Sequence, residues 1–135
     1  MCCPPNIERL FESLRGYFYA LSRDGVYVNF HNTSELDWYL EDGTKLKVRQ
    51  LTDDPWSGDV RFTITPEHAA QFGIYLRWPA WAASADVQIN GHPFDLGSAQ
   101  PGSYISILRN WKPGDTIGLS LRLRTVTMAA KPKSY

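Results

Sequence analysis

The chain is 135 residues long, which suits a single domain. Fourteen basic residues balance fourteen acidic ones, so we expect no basic surface that could follow a nucleic-acid backbone. No apolar run approaches the roughly 20 residues of a membrane span, so we expect no membrane partner either. The first residues lack the charged and apolar regions of a signal peptide, which favours the cytoplasm if Met1 is the native start.

Residues 1–16 carry the signals of one α-helix, predicted over 5–15. Pro4 and Pro5 fit a first helical turn, where a missing N–H group does no harm. Four apolar residues recur at helical spacing and define an apolar stripe: Ile7, Leu10, Phe11 and Leu14. Gly16 lies where a helix commonly ends. So short a helix does not bury this stripe by itself, and we expect an isolated chain to self-associate through it.

From residue 17 onward the hydrophobic pattern alternates with period two, as in β-strands. Asp24-Gly25 separates the first two alternating runs and predicts a hairpin turn. The predicted strands cover 17–21, 26–30, 36–40, 45–51, 60–65, 74–78, 85–89, 104–108 and 116–123. Many short strands separated by turn residues predict a mainly β chain, with an antiparallel β-sandwich over 17–123. We also predict one helical turn at 66–71 and a frayed tail at 124–135.

The two cysteines, Cys2 and Cys3, are adjacent. Neighbouring cysteines close no long loop, so a disulfide between them would not stabilise the fold. Three interpretations stay open from the residues alone: metal ligands, a reactive thiol, or no function. The three histidines have no metal-ligand spacing with one another or with the cysteines, and each is predicted to be solvated near a loop: His31, His68 and His92.

The five tryptophans allow two interpretations. Trp78 and Trp81 flank Pro79 at the end of a predicted strand, and Trp56 and Trp111 lie in turn motifs. Aromatic faces cover the C–H surfaces of sugars, so these side chains are candidates for a sugar platform. Large aromatic residues also commonly close the ends of a sandwich core, and this structural interpretation is favoured.

Six separated segments, in chain order, resemble one known family: CCPPN at 2–6 followed by IERL, YVNF at 27–30, DPWSG at 54–58, LRWPAWA at 76–82, VQING at 87–91 and RNWKPGD at 109–115. They resemble the end of the catalytic domain and the following β-sandwich of glycoside hydrolase family 127 (GH127), the β-L-arabinofuranosidase family. The resemblance covers most of residues 2–123.

The resemblance implies that residues 1–16 are the terminal helix of an (α/α)6 catalytic barrel whose other helices lie upstream. It also implies a zinc ion, held by Cys2 and Cys3 together with a glutamate and a further cysteine of that barrel. By motif position, Cys2 is the implied nucleophile, and a separate barrel glutamate is the implied acid/base. The implied substrates are β-L-arabinofuranosides or related sugars.

Two functions from different classes stay open. The first is part of a zinc-dependent retaining glycosidase, which we expect to be inactive without its barrel because Cys2 alone supplies neither an acid/base group nor a sugar pocket. The second is a non-catalytic sandwich that packs against a barrel or binds carbohydrate. A coding sequence for a barrel upstream of Met1 would favour the first function.

Overall fold

The computed structural model describes residues 15–53 and 57–123. A single 3-10 turn at Arg15–Tyr17 precedes the strands of the described chain. These strands are β1 (Tyr19–Ser22), β2 (Gly25–Val28), β3 (Ser34–Tyr39), β4 (Lys45–Thr52), β5 (Asp59–Pro66), β6 (Ala70–Arg77), β7 (Ala82–Ile89), β8 (His92–Phe94), β9 (Tyr104–Trp111) and β10 (Asp115–Leu123).

The strands form two sheets that share one hydrophobic core. One sheet has four strands in the order β1-β2-β6-β9, and the other has six in the order β3-β4-β5-β10-β7-β8. Alternate residues of β5, Val60, Phe62 and Ile64, are buried in this core against residues of the smaller sheet such as Ile74 and Ile107. The period-two pattern arises because successive side chains of a strand point to opposite faces, so the predicted sandwich is confirmed.

The pairing of β2 with β6 is parallel, so the prediction of entirely antiparallel sheets is wrong at this point. The chain leaves β2, forms β3, β4 and β5 in the other sheet, and returns beside β2 in the same direction. Gly25 lies opposite Gly73 in this pair. Local turn residues specify hairpins between consecutive strands, whereas a pair formed by a long connection has no such signal.

The predicted helical turn at 66–71 is also wrong. Pro66 ends β5, and Ala70 begins β6. Between them, the Glu67 N–H donates to the Lys45 carbonyl oxygen of β4 at 2.7 Å, which extends the strand pairing. The short strand β8 was not predicted, because three residues that include a proline give almost no alternating pattern.

The predicted helix over 5–15 lies outside the described residues except for Arg15, which begins the 3-10 turn. The apolar stripe and the tail at 124–135 also lie outside them, so self-association through the stripe stays a prediction. Within 15–53 and 57–123, no helix is long and apolar enough to cross a membrane.

Replacing Gly25 by alanine tests the close approach of β2 and β6. Gly25 has a φ of 149°, and an added Cβ would overlap the Gly73 carbonyl oxygen. Gly43→Ala is the matched control, because Gly43 also has a positive φ, 87°, but its added Cβ meets no atom within 4 Å. We expect Gly43→Ala to cost about 1–2 kcal/mol from backbone strain. Gly25→Ala should cost about 1–3 kcal/mol more, since backbone atoms must move apart.

Urea unfolding of both variants and of the unchanged protein measures these differences in the free energy of unfolding. Equal losses in the two variants would contradict the proposed steric role of Gly25.

Candidate functional site

One end of the sandwich contains a pocket of about 490 Å³, which we call the end pocket. Its aromatic lining comes from Phe18 before β1, Phe30 after β2 and Trp81 after β6. Phe18 and Phe30 meet edge to face with ring centroids 6.2 Å apart. Phe30 and Trp81 each expose about half of their surface, 54% and 50%. The end pocket is therefore open to solvent and carries exposed aromatic rings.

Three of the family-like segments meet at the end pocket. YVNF supplies Asn29 and Phe30, DPWSG supplies Gly58, and LRWPAWA supplies Arg77 and Trp81. The Gly58 carbonyl oxygen accepts a hydrogen bond from the N–H of β10 residue Leu121 at 2.9 Å, which ties the second segment to the larger sheet. The topology thus brings together segments that are far apart in the sequence.

Trp81 lies in a turn that the neighbouring Trp78 holds in place. Trp78 is 7% exposed, and its indole N–H donates to the Ala82 carbonyl oxygen at 3.0 Å. The Ala82 N–H in turn donates to the Pro79 carbonyl oxygen at 3.1 Å, while the Trp78 N–H donates to the Ser103 carbonyl oxygen at 2.9 Å. The exposed Trp81 therefore lies in a turn that is held by backbone hydrogen bonds and by a buried indole.

The opposite wall of the end pocket depends on Gln50 of β4, whose side chain is fully buried. Its Oε1 accepts a hydrogen bond from the Asn32 N–H at 3.1 Å, and its Nε2 donates to the Phe30 carbonyl oxygen at 3.2 Å. Nε2 also lies 3.2 Å from the hydroxyl of Tyr19 and 3.3 Å from that of Ser34. This amide thus fixes the loop at 30–32 to the larger sheet.

His31 is half-buried beside the end pocket, so the prediction that it is solvated is wrong. Its Nε2 lies 2.6 Å from the Arg77 carbonyl oxygen and therefore donates to it, and its ring packs edge to face on Phe62. His68 and His92 are exposed, as predicted. His31 is partly shielded from solvent because its loop packs on the core residue Phe62.

The guanidinium of Arg77 lies over the ring of Tyr104, 5.4 Å from its centroid. The Tyr104 hydroxyl donates to Asn29 Oδ1 at 2.6 Å, and Asn29 Nδ2 approaches the Tyr17 carbonyl oxygen at 3.4 Å. These contacts link β6, β9 and the start of β1 at the same end of the sandwich. They orient the polar residues around the end pocket.

Residues 25–123 match the middle domain of the GH127 β-L-arabinofuranosidases. The chain belongs to glycoside hydrolase family 127. It is 33% identical over 132 residues to the non-reducing end β-L-arabinofuranosidase of Bifidobacterium longum subsp. longum, a match that covers 90% of this chain and 18% of that protein.

Two solved structures are also similar to this chain in sequence and in fold. The GH127 β-L-arabinofuranosidase of Geobacillus stearothermophilus T6 is 35% identical, with a TM-score of 0.88 over 97% of this chain and 20% of that one. A second structure, of a glycoside hydrolase, is 34% identical with a TM-score of 0.88 over 98% of this chain and 22% of that one. The GH127 chain described here thus spans about a fifth of the length of these relatives.

The residues proposed from the family resemblance as metal ligands and nucleophile, Cys2 and Cys3, lie outside the described part of this GH127 chain. Within 15–53 and 57–123, no group of three or more histidine, cysteine, aspartate or glutamate side chains could hold a metal ion.

The tryptophans of the GH127 sandwich divide between the two interpretations. Trp111 is fully buried, and Trp78 is nearly so, which places both in the core as the favoured interpretation predicts. Trp81 and Trp38 are about half exposed, and Trp56 lies outside the described residues. Among the described tryptophans, only Trp81 borders the end pocket.

The segments VQING and RNWKPGD meet at the other end of the GH127 sandwich and have a structural role. Asn90, with a φ of 51°, donates from Nδ2 to Asp115 Oδ1 at 3.0 Å, and its Oδ1 accepts from the Thr116 N–H at 2.9 Å. Asp115 Oδ2 also accepts from the Lys112 N–H at 2.8 Å. Burial raises the pKa of Asp115, but the hydrogen bonds from Lys112 and Asn90 and nearby positive charges outweigh it, so this pKa lies below its ordinary value.

Gln50→Leu tests the support of the end pocket. The substitution leaves the Asn32 N–H and the Phe30 carbonyl without their side-chain partner, so we expect a loss of about 2–4 kcal/mol in the free energy of unfolding. Gln88→Leu, at an exposed position of β7, is the matched control and should change stability by less than about 0.5 kcal/mol. Urea unfolding measures both, and similar small changes in the two variants would contradict the role given to Gln50.

Asp115→Asn tests the turn contacts through their pH dependence. A carboxyl whose pKa is lower in the folded protein stabilises the fold above its unfolded pKa, which is about 3.9, and this stabilisation disappears as the pH falls through the folded pKa. We therefore expect the variant to be less stable at pH 7 and its deficit to shrink towards pH 3. Urea unfolding across this range measures the deficit, and a deficit that stays constant with pH would count against the prediction.

Proposed function

We propose that this GH127 chain supplies the β-sandwich and the last catalytic-barrel segment of a zinc-dependent retaining glycosidase. The proposed substrates are β-L-arabinofuranosides or related sugars. The observation that supports this most directly is the match of residues 25–123 to the GH127 middle domain, together with a β-L-arabinofuranosidase relative that is 33% identical over 90% of the chain.

The proposed reaction uses Cys2 as the nucleophile. Its thiolate attacks the anomeric carbon of the sugar, a C–S bond forms, and the glycosidic C–O bond breaks as a barrel carboxylic acid protonates the leaving oxygen. Water, deprotonated by the same barrel group, then attacks the anomeric carbon and releases the Cys2 thiolate. Two inversions leave the configuration of the sugar unchanged.

Cys2 and Cys3 are proposed to hold the zinc ion. Thiolates are ligands that zinc prefers, so the donor chemistry of this pair fits the metal, although it fills only two of the usual four positions. Because the residues at 15–53 and 57–123 offer no metal-binding group, we propose that the remaining ligands come from the barrel. When bound, zinc would lower the pKa of the cysteine thiols and so favour their thiolate forms.

The sandwich is proposed to support this reaction without taking part in bond cleavage. No aspartate or glutamate is present among the described residues that line the end pocket, so that surface offers no acid/base pair. The sandwich instead holds the start of the described chain, where the Asn29 N–H donates to the Phe18 carbonyl oxygen at 2.9 Å.

A chimera tests the proposed function. In this chimera, the present chain replaces the corresponding segment of the Bifidobacterium longum relative, whose own barrel is kept. The chimera is assayed on a nitrophenyl β-L-arabinofuranoside. We expect hydrolysis with retained anomeric configuration, which NMR of the first-formed product detects. Cys2→Ser should lower kcat by at least about a thousandfold, because the nucleophile is lost.

This chain without a barrel, given zinc and a reductant, should show no turnover. A chimera that is folded by circular dichroism and inactive would contradict the proposed function. So would a Cys2→Ser chimera that keeps its activity. Turnover by the chain alone that disappears in Cys2→Ser would instead show that the barrel is dispensable.

A further inference from the structure

The end pocket combines features that suit a sugar ligand. Its volume of about 490 Å³ falls in the range of pockets for small ligands, about 300–1,000 Å³. Exposed aromatic rings from Phe30 and Trp81 lie beside residues with amide and guanidinium groups, Asn32 and Arg77. A sugar ring has the matching surface, since its C–H groups pack on aromatic faces and its hydroxyls bond to polar groups.

The aromatic side chain that would contact a sugar is already held in place. Trp81 lies in the turn that the buried Trp78 indole fixes through its bond to the Ala82 carbonyl oxygen. The facing loop at 30–32 is fixed by the buried amide of Gln50. A binding surface that is ordered before the ligand arrives loses less conformational entropy on binding.

The described lining of the end pocket has groups that suit sugar binding but lacks the carboxyl pair that glycoside hydrolysis uses. Among the described residues that border the end pocket there is no carboxylate, cysteine or serine side chain that could act as acid, base or nucleophile. The imidazole of His31 already donates from Nε2 to the Arg77 carbonyl oxygen, so a glycan bound there meets no carboxyl pair of the kind that glycosidases use. The described carboxylates Asp53, Asp59 and Asp86 border a different depression of about 620 Å³.

We propose that the end pocket is a carbohydrate-binding site that holds one or two furanose units of an oligosaccharide, with the indole of Trp81 as the stacking surface. The site uses none of the residues proposed to carry the reaction. It rests on the proposed function only for the choice of an arabinofuranose oligosaccharide as the ligand.

The test is a titration of the full 135-residue chain with a β-linked arabinofuranose disaccharide. Binding is measured by isothermal titration calorimetry and by changes in NMR chemical shifts. We expect saturable binding with a Kd on the order of 1 mM, typical of a small contact surface. Trp81→Ala should weaken binding at least tenfold. Phe30→Leu keeps an apolar side chain without the ring and should also weaken it.

Trp38→Ala is the matched control. Trp38 is 46% exposed, close to the 50% of Trp81, but it lies near the end of β3 that is remote from the end pocket. Its replacement should leave the Kd unchanged. Circular dichroism checks that each variant is folded, and since neither indole is buried in the core, both should be.

Three outcomes would overturn the proposal. The first is the absence of saturable binding up to 10 mM disaccharide, about ten times the expected Kd. The second is an equal loss of affinity in Trp38→Ala and Trp81→Ala. The third is a change of oligomeric state in Trp81→Ala, by light scattering, with sugar affinity unaltered, which would identify the surface as a protein interface. None of these results bears on the activity of the chimera, so the two proposals fail separately.

Discussion

The close approach of Gly25 and Gly73 is the constraint on which the rest of the sandwich depends. Among the described strands, the hairpin β1–β2 joins its sheet only through the pairing of β2 with β6, where the Gly73 N–H donates to the Asp24 carbonyl oxygen at 2.8 Å. A side chain at Gly25 would overlap the Gly73 backbone, so the strands reach their hydrogen-bonding distance only without it. Because Phe18 and Phe30 flank this hairpin while Trp81 follows β6, the same pairing places these three aromatic residues around the end pocket.

The two ends of the sandwich are stabilised by different means. At the end remote from the pocket, polar side chains bond directly to turn backbone: Asn90 Oδ1 accepts from the Thr116 N–H, and Asp115 Oδ2 accepts from the Lys112 N–H. At the pocket end, buried groups bond to the backbone of the loop and the turn instead: the Gln50 amide and the Trp78 indole. The Gln50 amide and the Trp78 indole thus hold the loop and the turn that carry the exposed side chains of Phe30 and Trp81.

Sequence patterns predicted most of the fold but little of the candidate site. Alternation and turn residues specify local structure, so the strands and the Asp24-Gly25 hairpin follow from them. The parallel β2–β6 pair does not, since it joins segments that are far apart in the chain. Gln50 was missed although it occupies a buried position of the alternating strand β4, where a polar residue signals an internal hydrogen-bond network. The end pocket requires the meeting of several loops, which no single stretch of sequence encodes.

The described chain begins and ends at the same side of the sandwich. Phe18 and Leu121 both border the end pocket, and Leu123 pairs with Ala82 beside Trp81. A unit whose two connections lie together can be exchanged between related proteins without threading the polypeptide through its core, much as a domain inserted into a surface loop. The sandwich therefore has the geometry of a transplantable module, with both of its junctions at the end that carries the pocket.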